Sequence, residues 1–104
     1  MPGSLELISF GEEFNQSISN VLWPDSLKTI TFGIKFNQPL DFLPEGLETL
    51  IIYSLNYKHY LGNLPFSIKK MIFSDLNIYD MMPNEFKNKY NLSTKRNYYY
   101  LNKI

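Results

Sequence analysis

Few side chains in this sequence have the types and spacing that chemistry requires. The 104-residue chain contains one histidine, His59, and no cysteine. A catalytic base needs an orienting partner and a nucleophile within reach, and a lone histidine on a loop supplies neither. Glu12 and Glu13 are adjacent along the chain, so we interpret them as a solvated corner. The sequence therefore predicts no enzyme, no metal site and no cofactor.

Phosphate and nucleic-acid binding have weak candidates. A phosphate loop needs clustered glycines, whereas Gly11, Gly33, Gly46 and Gly62 are far apart. The C-terminal residues 83–104 mix basic and aromatic side chains, which permits RNA binding as one interpretation. We favour the alternative that this segment covers the last structural unit, with a short amphipathic helical cap and a frayed remainder. The cap is predicted from Phe86, Tyr90 and Leu92. The residues of the RNA-binding alternative are Lys87, Lys89, Lys95, Arg96 and Lys103, with Tyr90, Tyr98, Tyr99 and Tyr100.

Composition sets further bounds on partners and location. The chain has 10 basic and 10 acidic residues, so no net charge directs it to nucleic acid or to a membrane. No apolar stretch is long enough to span a bilayer. The N-terminus lacks the basic and apolar regions of a signal peptide. We therefore predict a cytoplasmic protein with no small-molecule substrate and no membrane partner.

The elements that must position any site come from an internal repeat. Prolines recur about every twenty residues, and each of the first four is followed by the pattern L-x-x-L-x-L, which is typical of leucine-rich repeats. The prolines are Pro2, Pro24, Pro44, Pro65 and Pro83, and the apolar positions are Leu5, Ile8 and Phe10; Leu27, Ile30 and Phe32; Leu47, Leu50 and Ile52; Ile68, Met71 and Phe73.

The end of each unit alternates apolar and polar residues, which indicates a short half-buried strand. We predict a mostly β, leucine-rich-repeat-like right-handed solenoid with a short parallel sheet, one strand per repeat. Units this short leave little room for a helix, so the convex side is predicted to consist of loops and 3₁₀ turns. The predicted repeats are 2–23, 24–43, 44–64 and 65–82, followed by a cap and tail at 83–104.

Each unit also has a corner. Phe14 and Phe36 are expected to fill the core from the convex side, and Asn15 and Asn37 follow them directly. Asparagine at such a corner can bond the backbone of its own or the neighbouring turn. Gly11 and Gly33 are predicted to end the first two strands where the backbone turns.

The segment from Pro24 to Leu40, with Phe36-Asn37-Gln38 at its corner, resembles the FNIP repeat, a relative of leucine-rich repeats found in social amoebae and in giant viruses of amoebae. Phe14-Asn15-Gln16 matches it too, whereas the third unit has Tyr57-Lys58-His59 instead. The resemblance implies a non-catalytic repeat, located in the host cytoplasm if the source is viral. An F-box before the repeats, which some relatives carry, is not expected because Leu5 already belongs to the first unit.

We predict that a protein partner binds the outward face of the strands, since solenoids commonly bind through their concave surface. Ile51, Tyr53 and Ile72 form an apolar patch there, and exposed apolar clusters often mark contact sites. The alternatives are that the tail covers the patch or that a register shift buries it. The predicted binding residues are Ile51, Tyr53, Ile72, Thr29, Thr31, Thr49 and Lys70.

The first unit raises a separate expectation. No element precedes its strand in the sequence, so Leu5, Ile8 and Phe10 are predicted to lie under an open edge. That edge either pairs with another chain, such as a second copy, or marks a truncated copy of a longer array. Overall we predict a protein-interaction module; a passive remnant of a repeat array is the alternative, and RNA binding stands behind both.

Overall fold

The computed structural model describes residues 4–104; Pro2, the predicted start of the first repeat, lies outside the described residues. Six strands and two helices of one turn each follow in chain order. They are β1 (Leu7–Ser9), β2 (Thr29–Phe32), β3 (Thr49–Ile52), β4 (Lys70–Phe73), α1 (Asn77–Asp80), α2 (Asn84–Lys87), β5 (Tyr90–Lys95) and β6 (Tyr98–Lys103).

All six strands form one sheet in the order β1-β2-β3-β4-β6-β5. The strands β1 to β4 are parallel neighbours, and their register aligns Ile8 with Ile30, Leu50 and Met71. β6 runs antiparallel to β4, and β5 runs antiparallel to β6. The predicted mostly β architecture with a parallel sheet is therefore confirmed.

Alternation within each strand builds the core. In β2, Ile30 and Phe32 are fully buried, whereas Thr29 and Thr31 are only half-buried. β3 repeats this pattern with Leu50 and Ile52. Side chains of a strand alternate faces, so one face of the sheet packs on the core. We call the opposite side the outward face.

An aromatic column closes the core opposite the strands. The rings of Phe14, Phe36 and Tyr57 stack in sequence, with centroids 6.0 and 6.3 Å apart and interplanar angles of 5° and 13°. Phe36 also stacks on Phe32, 4.1 Å away. The corner aromatics therefore fill the core from the side opposite the strands.

The connections between the parallel strands contain turns and irregular backbone, and within residues 4–104 none of them includes a helix. A single turn precedes each of the strands β2, β3 and β4. Leu27, Leu47 and Ile68 donate their N–H groups to the carbonyls of Pro24, Pro44 and Pro65, at 3.1, 3.1 and 3.3 Å. Each bond runs from residue i to residue i−3, which is the hydrogen-bond pattern of a single 3₁₀ turn, and none of these turns continues into a 3₁₀ helix. Their shortness follows from the small number of residues available between two strands.

The C-terminal segment differs from the frayed tail that we predicted. A short helix, α2, is present, but β5 and β6 then form a hairpin that extends the sheet beyond β4. Leu101 pairs with Met71 and is fully buried. The ring of Tyr99 stacks on Phe73 at 5.7 Å. The prediction of a frayed remainder is wrong, because this hairpin covers the last core residues by strand pairing.

Gly33 is required for close packing between chain segments. The first two strands end close to Gly11 and Gly33, as predicted, and a turn begins at each glycine, because Phe14 and Phe36 donate their N–H groups to these carbonyls at 3.2 and 3.3 Å. No glycine among the described residues has a positive φ, so these turns do not require the conformational freedom of glycine. A Cβ at Gly33 would lie 2.7 Å from the carbonyl oxygen of Gly11 and 3.0 Å from Cα of Glu12. A Cβ at Gly11 would meet nothing within 4 Å.

We expect Gly33→Ala to lower the free energy of unfolding by about 1–3 kcal/mol, because the new methyl group forces backbone atoms apart. Gly11→Ala is the matched control and should change stability by less than about 0.5 kcal/mol. Urea denaturation of both variants measures the difference. Equal stability of the two variants would contradict this packing role.

Candidate binding face

The strand register places the predicted binding residues in rows on the outward face. Thr29, Thr49 and Lys70 lie side by side, as do Thr31, Ile51 and Ile72. Ile51 and Ile72 are half-buried, whereas their neighbours Leu50 and Phe73 point to the core and are fully buried. The predicted alternative of a register shift is therefore wrong. Tyr53 directly follows β3 and is also half-buried.

The hairpin adds two tyrosines to this face. Tyr100 pairs with Ile72 in the register of β4 and β6, and the ammonium of Lys70 lies 5.5 Å from the Tyr100 ring centroid. Tyr98 approaches Tyr53 edge-on, with ring centroids 5.6 Å apart at 62°. Ile51, Ile72 and Tyr100 thus form one row, and Tyr53 and Tyr98 stand beside it. We call these five residues the apolar row. The hairpin lies beside Ile72 in the sheet, so the tail extends the patch instead of folding over it.

A shallow groove of about 500 Å³ continues the apolar row towards β1. Tyr53, Tyr98 and Leu55 form one part of its lining, and small residues such as Gly33 and Ser9 form another. Leu55 and Tyr98 are 52% and 39% exposed. The groove therefore combines accessible apolar side chains with a floor on which a backbone can lie.

Away from this face, polar residues of the corners bond the next turn. The side-chain oxygen of Asn15 accepts the Asn37 N–H at 2.8 Å, and that of Asn37 accepts the Lys58 N–H at 3.0 Å. Nε2 of His59 lies 3.1 Å from the Asn37 carbonyl oxygen, so this nitrogen donates. The ring of His59 also contacts Tyr57 edge-on at 5.6 Å. The single histidine is thus part of the corner.

Two titratable groups away from this face, Tyr57 and Glu48, have shifted pKa values. The Tyr57 hydroxyl donates to the Gln38 carbonyl at 2.7 Å, and burial raises the pKa of Tyr57 well above its ordinary value, with the Asp41 charge adding to the effect. Glu48 lies between Lys28 and Lys69, at 3.4 and 3.5 Å. The hydrogen bond from Lys28, followed by the charge of Lys69, lowers the pKa of Glu48.

Tyr98 and Tyr100 are not among the binding residues predicted from the sequence. In the structure, two six-residue strands flank Arg96 and Asn97, and Arg96 adopts a φ of 60°. Polar residues at a two-residue connection between strand-like runs are typical of a hairpin. The consecutive tyrosines concealed the alternation, because tyrosine suits either face of a sheet.

Comparison with known families assigns the repeat. The FNIP Repeat matches residues 1–35 and 36–76, so that each matched segment contains two of the parallel strands. The chain belongs to the FNIP repeat family. FNIP repeats are interaction-type repeat modules and are not known for catalysis. The comparison with curated proteins finds no significant match.

Two further features of the FNIP chain concern membrane-spanning helices and clusters of metal-binding side chains. Within residues 4–104, no helix has the length and hydropathy needed to cross a membrane. The described residues also contain no group of three His, Asp or Glu side chains placed to hold a metal ion.

Proposed function

We propose that this FNIP chain is a non-catalytic protein-interaction module that binds a partner protein through the outward face of its sheet. The contact residues are the apolar row together with the polar positions Thr29, Thr31, Thr49 and Lys70. The observation that carries this proposal is the continuity of the row across three strands, from Ile51 through Ile72 to Tyr100. Apolar clusters of this kind on a wet face are typical of contact sites.

The proposal includes the finer architecture on which the face depends. We propose a right-handed, leucine-rich-repeat-like solenoid with repeats at 2–23, 24–43, 44–64 and 65–82, and with 83–104 as its C-terminal cap. In such an arrangement each repeat contributes one strand, and the outward face becomes the concave surface used by other solenoid proteins. We propose the cytoplasm as its location, in keeping with the absence of cysteine.

The groove suggests what the partner presents. Its small residues, Ser9, Gly33 and Ser74, leave room for an extended backbone, and Tyr53 and Tyr98 offer ring surface to apolar side chains. Tyrosines at contact sites supply much apolar area while ordering few rotatable bonds. We therefore propose an extended peptide segment with aliphatic or aromatic side chains as the bound element.

A library of random peptides selected on the immobilised chain tests this function. We expect the selected peptides to be rich in aliphatic and aromatic residues, and Ile51→Asp and Tyr98→Ser each to weaken their binding about tenfold or more. Leu22→Asp is the control, because Leu22 is 89% exposed and lies outside the groove. Circular dichroism verifies the fold of each variant.

Two outcomes of the selection oppose the proposal. If no peptide is selected, the interpretation of the chain as a passive remnant of a repeat array gains support. Selected peptides that bind the Ile51 and Tyr98 variants as tightly as the unchanged chain would place the contact elsewhere.

A further inference from the structure

The two edges of the sheet are open and carry opposite charge. Within the described residues, β1 pairs only with β2 at one edge, and β5 pairs only with β6 at the other. An unpaired edge strand presents free backbone donors and acceptors, which makes it a template for a further strand. Both edges are thus able to accept a strand from another molecule.

The edge at β1 is acidic and incompletely covered. The residues before Lys28 include Glu6, Glu12, Glu13 and Asp25, but no lysine or arginine. Ile8 and Phe10 are half-buried, although Ile30 and Phe32, their register equivalents in β2, are fully buried. Within residues 4–104, no further strand covers the core at this edge.

The edge at β5 is basic. Residues 83–104 hold five basic side chains against Glu85 alone, and these are Lys87, Lys89, Lys95, Arg96 and Lys103. Leu92 lies on the core side of β5, because it pairs with the buried Leu101, yet it is 40% exposed. An apolar side chain thus remains uncovered at this edge too.

Strand directions make the two edges compatible. β5 runs antiparallel to β6, which runs antiparallel to β4, so β5 is parallel to β1. The register places Leu92 level with Met71 and hence with Ile8. Counting along both strands then places Lys95 level with Gly11 and Arg96 level with Glu12. Parallel pairing of β5 with the β1 of another copy would therefore bring Leu92 over Ile8 and the basic turn against the acidic corner.

We propose that copies of this chain associate head to tail, with the β5 edge of one copy paired in parallel with the β1 edge of the next. The contact differs from the proposed binding face, which stays exposed on every copy. Because the two surfaces are different, the association is open-ended and produces a continuous sheet of several copies. In the competing arrangement, two β1 edges meet. Glu6 and Glu12 of one copy would then lie close to the same acidic residues of the other copy, and their repulsion opposes the contact.

Salt dependence separates these arrangements. We expect the average mass of the full chain, measured by sedimentation, to increase with protein concentration at low ionic strength. At ~1 M salt it should return towards the monomer, because screening is nearly complete at this ionic strength. A β1-to-β1 dimer would instead be strengthened by salt. A chain that is monomeric at every concentration at low salt would overturn the proposal.

Charge reversal gives the decisive test. Glu6→Lys with Glu12→Lys cancels the net negative charge of the β1 edge, and Lys89→Glu with Lys95→Glu cancels the net positive charge of the β5 edge. We expect each double variant to lose association by about tenfold or more. An equimolar mixture of the two should regain it, because the basic β5 edge of the first variant then meets the acidic β1 edge of the second. Circular dichroism checks that both variants fold. Failure of the mixture to associate, or loss in the Glu6 and Glu12 variant alone, would overturn the head-to-tail arrangement.

Discussion

Replacing Phe36 with alanine is expected to lower the free energy of unfolding by about 3–5 kcal/mol, the range measured for large aromatic residues in protein cores. Phe36 is fully buried and stacks on Phe32, Phe14 and Tyr57. Its loss opens a cavity in the middle of the aromatic column. The rings of Phe14 and Tyr57 lie in the connections before β2 and after β3, so a local collapse of the turn that holds Phe36 cannot refill the space.

Phe14→Ala is the matched control, because Phe14 occupies the equivalent corner at the end of the column and is only half-buried. We expect it to cost about 1–2 kcal/mol, in proportion to the smaller apolar area that it buries. Urea denaturation at high salt, where association of copies is suppressed, measures both variants. Equal losses of unfolding free energy in the two variants would contradict the deeper burial of Phe36 in the middle of the column.

An effect of this size is a large share of the stability of a small domain, which is commonly 5–15 kcal/mol. The slope of the denaturation curve, as well as its midpoint, is compared between the Phe36 variant and the unchanged chain. An unchanged slope indicates that the surface exposed on unfolding is the same. The difference in midpoint then reports the lost packing alone.

The parallel part of the fold was predictable because its signals are local and repeated. Alternation at Ile30 and Phe32 indicates which side chains enter the core, and the corner asparagine follows a core aromatic each time it occurs. The repeat also predicts which strands pair, since each parallel strand pairs with its counterpart one unit away. The outward residues, including Ile51 and Ile72, follow directly from the same alternation.

The C-terminal hairpin was not predictable on the same grounds. Its residues do not repeat the earlier units, and the choice of antiparallel pairing with β4 depends on how Leu101 and Tyr99 fit against Met71 and Phe73. Such a fit is a property of the assembled core. The same limit applies to Gly33, whose contact with Gly11 joins segments that are distant in sequence.

The hairpin can be tested through two leucines that face each other. Leu101 and Leu92 are register partners on β6 and β5, but Leu101 is fully buried whereas Leu92 is 40% exposed. We expect Leu101→Ala to lower the free energy of unfolding by about 2–5 kcal/mol. Leu101 is the register partner of Met71 at the end of the core, and within residues 4–104 no other strand pairs with that side of β4.

Leu92→Ala should cost less than about 1 kcal/mol, because much of its side chain already contacts water. Urea denaturation of the monomer at high salt measures both variants of the pair. Two small and equal effects would mean that the residues after Leu92 are frayed, as predicted from the sequence, and that the apolar row ends at Ile72. A large loss of stability at Leu101 alone would show that the core depends on β6, the strand that also carries Tyr98 and Tyr100 on the binding face.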